Sequence, residues 1–191
     1  MAARAFPVAA IIVGAGAGTR FGEPKAGALL GDGRRFLDAV CATARDAGLD
    51  PIVAVLPLTI DTPDGIVKVV NPRPEGEQVA SLRLGLARLA NTDVVGAVAW
   101  PVDHPFVTLE SVLAVLDAAR RTQAPIVAPS FGGRRGHPVF FHRNTWRELL
   151  TVPEGGARAV VHAYGDHVVA VPVPDAGVRR DIDTKDDLTG R

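Results

Sequence analysis

The chain has 191 residues, 47% of them hydrophobic and 22% charged, with 21 Lys and Arg balancing 21 Asp and Glu. That length suits one core of roughly 100–200 residues, and the apolar share excludes a disordered chain. Zero net charge excludes a general binder of nucleic-acid backbone, and a lone cysteine, Cys41, excludes a disulfide framework or a cysteine-rich zinc module.

The predicted elements alternate along the chain. Val8–Val13 is a short apolar run stopped by glycine, the pattern of a strand buried on both faces. The uncharged stretch around it is broken by Pro7 and by glycines and falls short of the about 20 apolar residues a membrane span needs. Its apolar centre is also shorter than a signal-peptide core, so a cytoplasmic protein with no membrane contact is expected. Residues 34–49 place Phe36, Leu37, Val40, Cys41, Ala44 and Ala47 near helical spacing, with Gly48 as the stop. Strands follow at 51–56 and 66–70, then a helix at 78–90 with Val79, Leu82, Leu86 and Leu89 on one face. A strand at 94–100 is stopped by Pro101, and a helix at 108–121 repeats the pattern through Leu109, Val112, Val115, Leu116 and Ala119. Short strands at 125–128, 139–141 and 168–173 complete the chain. Strands alternating with helices predict βαβ units and a mainly parallel sheet. No repeat, low-complexity tract or domain linker interrupts residues 1–191, so a single α/β domain is expected.

The loop after the first strand reads Gly14-Ala-Gly-Ala-Gly-Thr-Arg-Phe-Gly-Glu-Pro-Lys25. In open α/β sheets, ligands bind beyond the carboxyl ends of the strands, and alternate glycines let backbone N–H groups approach an anion. The dinucleotide fingerprint fails, because it needs glycine at Thr19 or Phe21. The Walker A motif fails too, because Lys25 lies between Pro24 and Ala26. What remains is a glycine loop with two cations, Arg20 and Lys25, which suits a polyphosphate. Taken alone, it also suits a tight βα turn with two solvated charges.

The residues from Val13 to Lys25 resemble the signature loop of the MobA-like NTP transferases, and within them that of the molybdenum cofactor cytidylyltransferases, L-A-A-G-x-S-x-R-M-G-x-P-K. Arg20, Gly22, Pro24 and Lys25 fall in register, whereas Val13, Gly14, Gly18 and Phe21 depart from the usual residues. Later segments keep the order: Asn71-Pro72 through Gly76, Ser81-Leu82 and Gly85-Leu86, then Pro101-Val-Asp103-His-Pro105 and Arg135-Gly-His137-Pro138. Gly155–Ala159 and Asp181-Ile-Asp183-Thr184 are similar to the family's closing segments. Together these elements run from residue 8 to 188. The resemblance implies a three-layer, Rossmann-like nucleotidyltransferase fold.

It also implies roles. Asp103 and Asp183 would hold Mg²⁺, with Asp181 an alternative to Asp183 as the second ligand; the ion takes one or two carboxylates and completes its shell with phosphate oxygens and water. Lys25 would hold the α-phosphate, and Arg20 the β- and γ-phosphates. Ala15, Gly16 and Gly18 would line the nucleotide, with Asn71 at the ribose or base and Ser81 as a donor. Lys25, Arg20 and Asp103 would form the catalytic set, and His137 would contact the acceptor. Ala15 matches the second alanine of the cytidylyl-type loop, where the guanylyl branch has glycine, so CTP is preferred over GTP. The acceptor would be a small phosphorylated molecule, with molybdopterin following from the resemblance alone, and the protein a monomer or homodimer.

Plainer readings stand beside these. Asp103 can be a strand-end turn residue. Asp183 to Asp187 can open a short helix, with Thr184 as N-cap and Asp187 as its capping-box partner. His137 can be a loop histidine bonded to backbone, and Asn71 and Ser81 can be turn and helix-start residues. Two other functions also remain open from sequence: a nucleotide-sugar glycosyltransferase, since Asp181-Ile-Asp183 is a formal Asp-x-Asp, and a non-catalytic nucleotide-binding module.

Overall fold

The computed structural model describes residues 6–16, 21–73, 78–152 and 156–189. Four of the residues singled out from sequence, Gly18, Arg20, Gly76 and Gly155, lie outside the described residues.

The strands are β1 (Val8–Val13), β2 (Ile52–Leu56), β3 (Val67–Val70), β4 (Gly96–Pro101), β5 (Ile126–Phe131), β6 (Arg134–Arg135), β7 (Val139–His142) and β8 (Val168–Pro172). The helices are α1 (Phe36–Asp46), α2 (Gln78–Arg88), α3 (Leu109–Thr122), α4 (Trp146–Thr151), α5 (Gly156–Tyr164) and α6 (Asp186–Thr189). One mixed sheet runs β3-β2-β1-β4-β7-β5-β6, and β8 pairs with β5. Strands β1 to β4 pair in parallel, as do β5 and β8. Strand β7 is antiparallel to both β4 and β5. The predicted mainly parallel sheet therefore carries two reversed strands, β7 inside it and the two-residue β6 at its edge. The reason is the connection: only residues 132–138 join β5 to β7, whereas a parallel return needs a crossover of a dozen or more residues.

The period of two along β1 builds the three layers. Val8, Ala10 and Ile12 pack with Phe36, Leu37 and Val40 of α1 and Val112 and Val115 of α3. Ala9, Ile11 and Val13 pack with Leu82 and Leu86 of α2, Trp146 and Leu149 of α4 and Val160 of α5. A strand apolar at every position is thus explained by helices on both faces. Gly85 is what lets α2 lie so close to the sheet, because a Cβ there would collide with Ile11 Cγ2.

Helix α1 is shorter than its apolar pattern. It begins after Arg35, whose N–H donates to Asp38 Oδ2 at 3.3 Å, and it ends where Gly48 takes φ +74°. The short helices α4 and α5 have no predicted counterpart; at 6 and 9 residues both are shorter than the stretch over which a helical period is read. No helix among the described residues is long and apolar enough to cross a membrane.

Candidate active site

The parallel strands end together on one edge of the sheet, and three loops meet there. At the end of β1, Gly14 N–H donates to Val55 O at 3.0 Å, continuing the sheet ladder by one residue. A Cβ on Gly14 would stand 3.0 Å from Leu56 Cδ2 and 3.3 Å from both Ala26 Cβ and Val102 Cβ. The absent side chain is therefore where the β1 loop, the turn carrying Lys25 and the β4 loop pack against one another. That is a physical reason for glycine where the cytidylyltransferase loop has alanine. Ala15 is buried beside it, while Gly16 is exposed with open space around it.

Lys25 opens a single 3₁₀ turn, Lys25–Gly27, closed by Gly27 N–H on Pro24 O at 2.9 Å and anchored by buried Ala26. Asp103 follows β4 by two residues. Val102 N–H donates to Val13 O at 3.0 Å and His104 N–H to Pro101 O at 3.2 Å, so a tight turn projects the Asp103 side chain over the strand ends. Asp183 arrives from the far end of the chain. Ile182 N–H donates to Asp103 O at 2.9 Å, fixing the segment beside the β4 loop. Asp187 Oδ2 then accepts from Asp183 N–H at 3.0 Å, Thr184 N–H at 2.7 Å and Thr184 Oγ1 at 2.9 Å. The Thr184 bonds are the main cause that holds the Asp187 carboxyl below the usual range.

The three side chains converge on one point. Lys25 Nζ donates to Asp103 Oδ2 at 3.1 Å and to Asp183 Oδ1 at 2.5 Å. Their side chains are 16%, 24% and 33% exposed, so the cluster is recessed but reachable from solvent. Burial by itself pulls the Lys25 ammonium toward neutrality, but the bonds and charges of Asp183 and Asp103 together outweigh it and raise its pKa. Lys25 is a fixed cation at neutral pH.

Beside this cluster lies a histidine pair that the sequence did not reveal as a pair. His137 N–H donates to Val178 O at 2.7 Å, which brings the β6–β7 loop against the segment that leads into Asp183. Its ring lies 4.7 Å from that of His104, and His104 Nε2 is 4.0 Å from Asp103 Oδ1. Both Nδ1 atoms are sealed from solvent without a protein partner. Burial lowers the pKa of His104, against the opposing charge of Asp103. Burial, with His104 adding to it, pushes His137 down to about 4. Both rings are therefore neutral at pH 7.

Asn71 and Ser81 form a separate buried pair. Asn71 Nδ2 donates to Ser81 Oγ at 2.9 Å, and Asn71 Oδ1 accepts from Arg73 N–H at 2.9 Å. These bonds tie the end of β3 to the start of α2 and engage both side chains locally. The structure thus brings together Lys25, Asp103 and Asp183, sets His137 beside them through His104, and leaves Asn71 and Ser81 bonded to each other. Asp187 and the Ile182 amide also belong to the site's framework. The Thr-x-x-Asp spacing pointed to Asp187 as a capping partner; nothing local pointed to Ile182.

A glycine loop, a lysine and two carboxylates at the carboxyl edge of a Rossmann-like sheet are the features of a nucleotidyltransferase. Residues 10–168 match the model of the MobA-like NTP transferase domain, and the chain belongs to that family. Nucleotidyl transfer therefore stands over glycosyl transfer. The chain is similar to Rv0371c from Mycobacterium tuberculosis H37Rv, with 28% identity, a TM-score of 0.83 and 97% of each chain covered. A structure of Rv0371c in complex with manganese is 27% identical, with a TM-score of 0.76, over 96% of this chain and 97% of that one. The 2-C-methyl-D-erythritol 4-phosphate cytidylyltransferase of Thermus thermophilus shares the fold at 22% identity, with a TM-score of 0.71 and 96% of each chain covered. No curated protein matches the chain by sequence.

Proposed function

We propose that the chain transfers a nucleoside monophosphate, CMP from CTP, to a small phosphorylated acceptor and releases pyrophosphate. The acceptor's phosphate oxygen attacks the α-phosphorus; a P–O bond forms there as the bond from the α-phosphorus to the bridging oxygen of the leaving pyrophosphate breaks. A phosphate monoester is already largely ionised near neutral pH, so no general base is needed. That agrees with a histidine pair whose pKa values burial lowers, which makes both rings weak bases.

The observation that carries the reading is the convergence of Asp103 and Asp183 on a single cation. Two carboxylate oxygens that already share an ammonium present the donor set Mg²⁺ prefers, with phosphates and water filling the remaining positions. No group of three or more potential ligands occurs among the described residues, which suits an ion that arrives with phosphates better than a closed protein cage. The manganese complex of Rv0371c supports a divalent ion here. When bound, that ion would neutralise charge on the α-phosphate and the departing pyrophosphate. Lys25 would hold the α-phosphate and Arg20 the β- and γ-phosphates, while Ala15, Gly16 and Gly18 line the nucleotide. His137, next to the cluster through His104, marks the acceptor side. CTP is favoured by Ala15, and molybdopterin is the first acceptor to try.

The test is pyrophosphate release with each of the four NTPs and Mg²⁺ or Mn²⁺, against a panel of phosphorylated acceptors that includes molybdopterin. Acceptor-dependent release with CTP is expected, and Asp103→Asn should abolish it. Undiminished release by that variant would overturn the metal assignment.

A further inference from the structure

We propose that Lys25 is the built-in competitor of the divalent metal: its ammonium holds the Asp103 and Asp183 carboxylates together, and a metal entering between them must displace it. The inference deepens the proposed function and rests on the reading of these two carboxylates as metal ligands.

The geometry leaves little room for both cations in one place. Lys25 Nζ lies 3.1 Å from Asp103 Oδ2 and 2.5 Å from Asp183 Oδ1, so the ammonium occupies the space between the two carboxylates. Mg²⁺ approaches its oxygen ligands to about 2.0–2.1 Å, so an ion drawn to both carboxylates would compete with the ammonium for that space. The backbone at both carboxylates is pinned, Asp103 by the Ile182 amide on its carbonyl and Asp183 by its own amide on Asp187. The lysine is the flexible partner, because its four-carbon stem can swing the charge aside.

A consequence follows for the order of events. For Mn²⁺ or Mg²⁺ alone, displacing the ammonium exposes one cation to another at close range with nothing to receive it. A metal arriving with a triphosphate brings the anion to which the displaced ammonium can move. The same lysine then serves twice: it is the carboxylates' counter-ion before the nucleotide binds and the phosphate's counter-ion afterwards. Metal binding should be weak by itself and strong with nucleotide.

The experiment measures Mn²⁺ binding to the nucleotide-free protein by the electron paramagnetic resonance signal of unbound Mn²⁺. Wild type is expected to bind weakly. Lys25→Met, which keeps the stem and removes the charge, is expected to bind Mn²⁺ at least tenfold more tightly, about 1.4 kcal/mol. Lys25→Arg, which keeps a charge, should remain as weak as wild type. Mn²⁺ should also raise the melting temperature of Lys25→Met more than that of wild type. Lys25→Gln repeats the measurement if the methionine variant does not fold. Equal Mn²⁺ affinity in wild type and the neutral variants would overturn the proposal. The double variant Lys25→Met/Asp103→Asn separates it from the reading beneath. Loss of the gain there supports both, whereas a double variant that binds as tightly as Lys25→Met refutes Asp103 as a ligand.

Discussion

The buried histidine pair gives the fold an acid-sensitive point whose size follows from the structure. His137 has its Nδ1 sealed without a partner, 4.7 Å between its ring and that of His104, and a pKa pushed from 6.5 to about 4, by burial first and by His104 second. In the unfolded chain the same imidazole takes a proton near pH 6.5. Between those two values the unfolded state binds more protons than the folded state, so stability falls as the pH is lowered. The contribution is absent above about pH 6.5 and complete below about pH 4. At 1.36 kcal/mol per pKa unit the full cost is about 3 kcal/mol. Replacing His137 with Phe keeps a ring of similar size and removes the proton site. Urea unfolding of both proteins at pH 7, 5.5 and 4 should show wild type losing about 2–3 kcal/mol more than His137→Phe across that range. His104, also lowered by burial, remains in both proteins. Parallel profiles for the two proteins would refute the assignment of a neutral, buried His137.

Three further outcomes are expected. Asp187→Ala removes the acceptor for Asp183 N–H, Thr184 N–H and Thr184 Oγ1; acceptor-dependent pyrophosphate release should fall by about 10–100-fold, with a proportionate loss of Mn²⁺ affinity and an unchanged circular dichroism spectrum. Gly85→Ala forces a Cβ into Ile11 Cγ2 and should lower stability by about 1–3 kcal/mol, read as a melting temperature several degrees below wild type. Cys41 is 1% exposed and burial pushes its thiol up to about 12, so it should resist a thiol reagent at pH 8 in the native protein and react at once in denaturant.

Features with local causes are legible in the order of residues. The apolar run Val8–Val13 forms a strand with those same bounds, and the spacing of Phe36, Leu37, Val40 and Val112, Val115 marks helix faces that do reach the core. The stop at Gly48 and the bonding of Thr184 to Asp187 were legible because turn chemistry acts over three or four residues; Thr184 itself lies one residue too early to be the N-cap of α6. Asp103 could be singled out as a carboxylate just past a strand. Asp183, expected at a strand end, lies instead beyond a 3₁₀ turn that follows β8, and only the closing segment's resemblance pointed to it. Their meeting could not be read locally, because Lys25 reaches them across 78 and 158 positions of chain, and only the strand order and the Ile182–Asp103 bond close those distances. The reversal of β7 against β5 follows from the short connection, but its insertion between β4 and β5 likewise depends on strand order. The pairing of His104 with His137 depends on the loop docking at Val178. Periodicity reports which face of an element is apolar, while the identity of the residue that faces it is set by packing. In this protein the residue types of the chemistry were local information, and the charge relations among Lys25, Asp103 and Asp183 were decided by the tertiary structure.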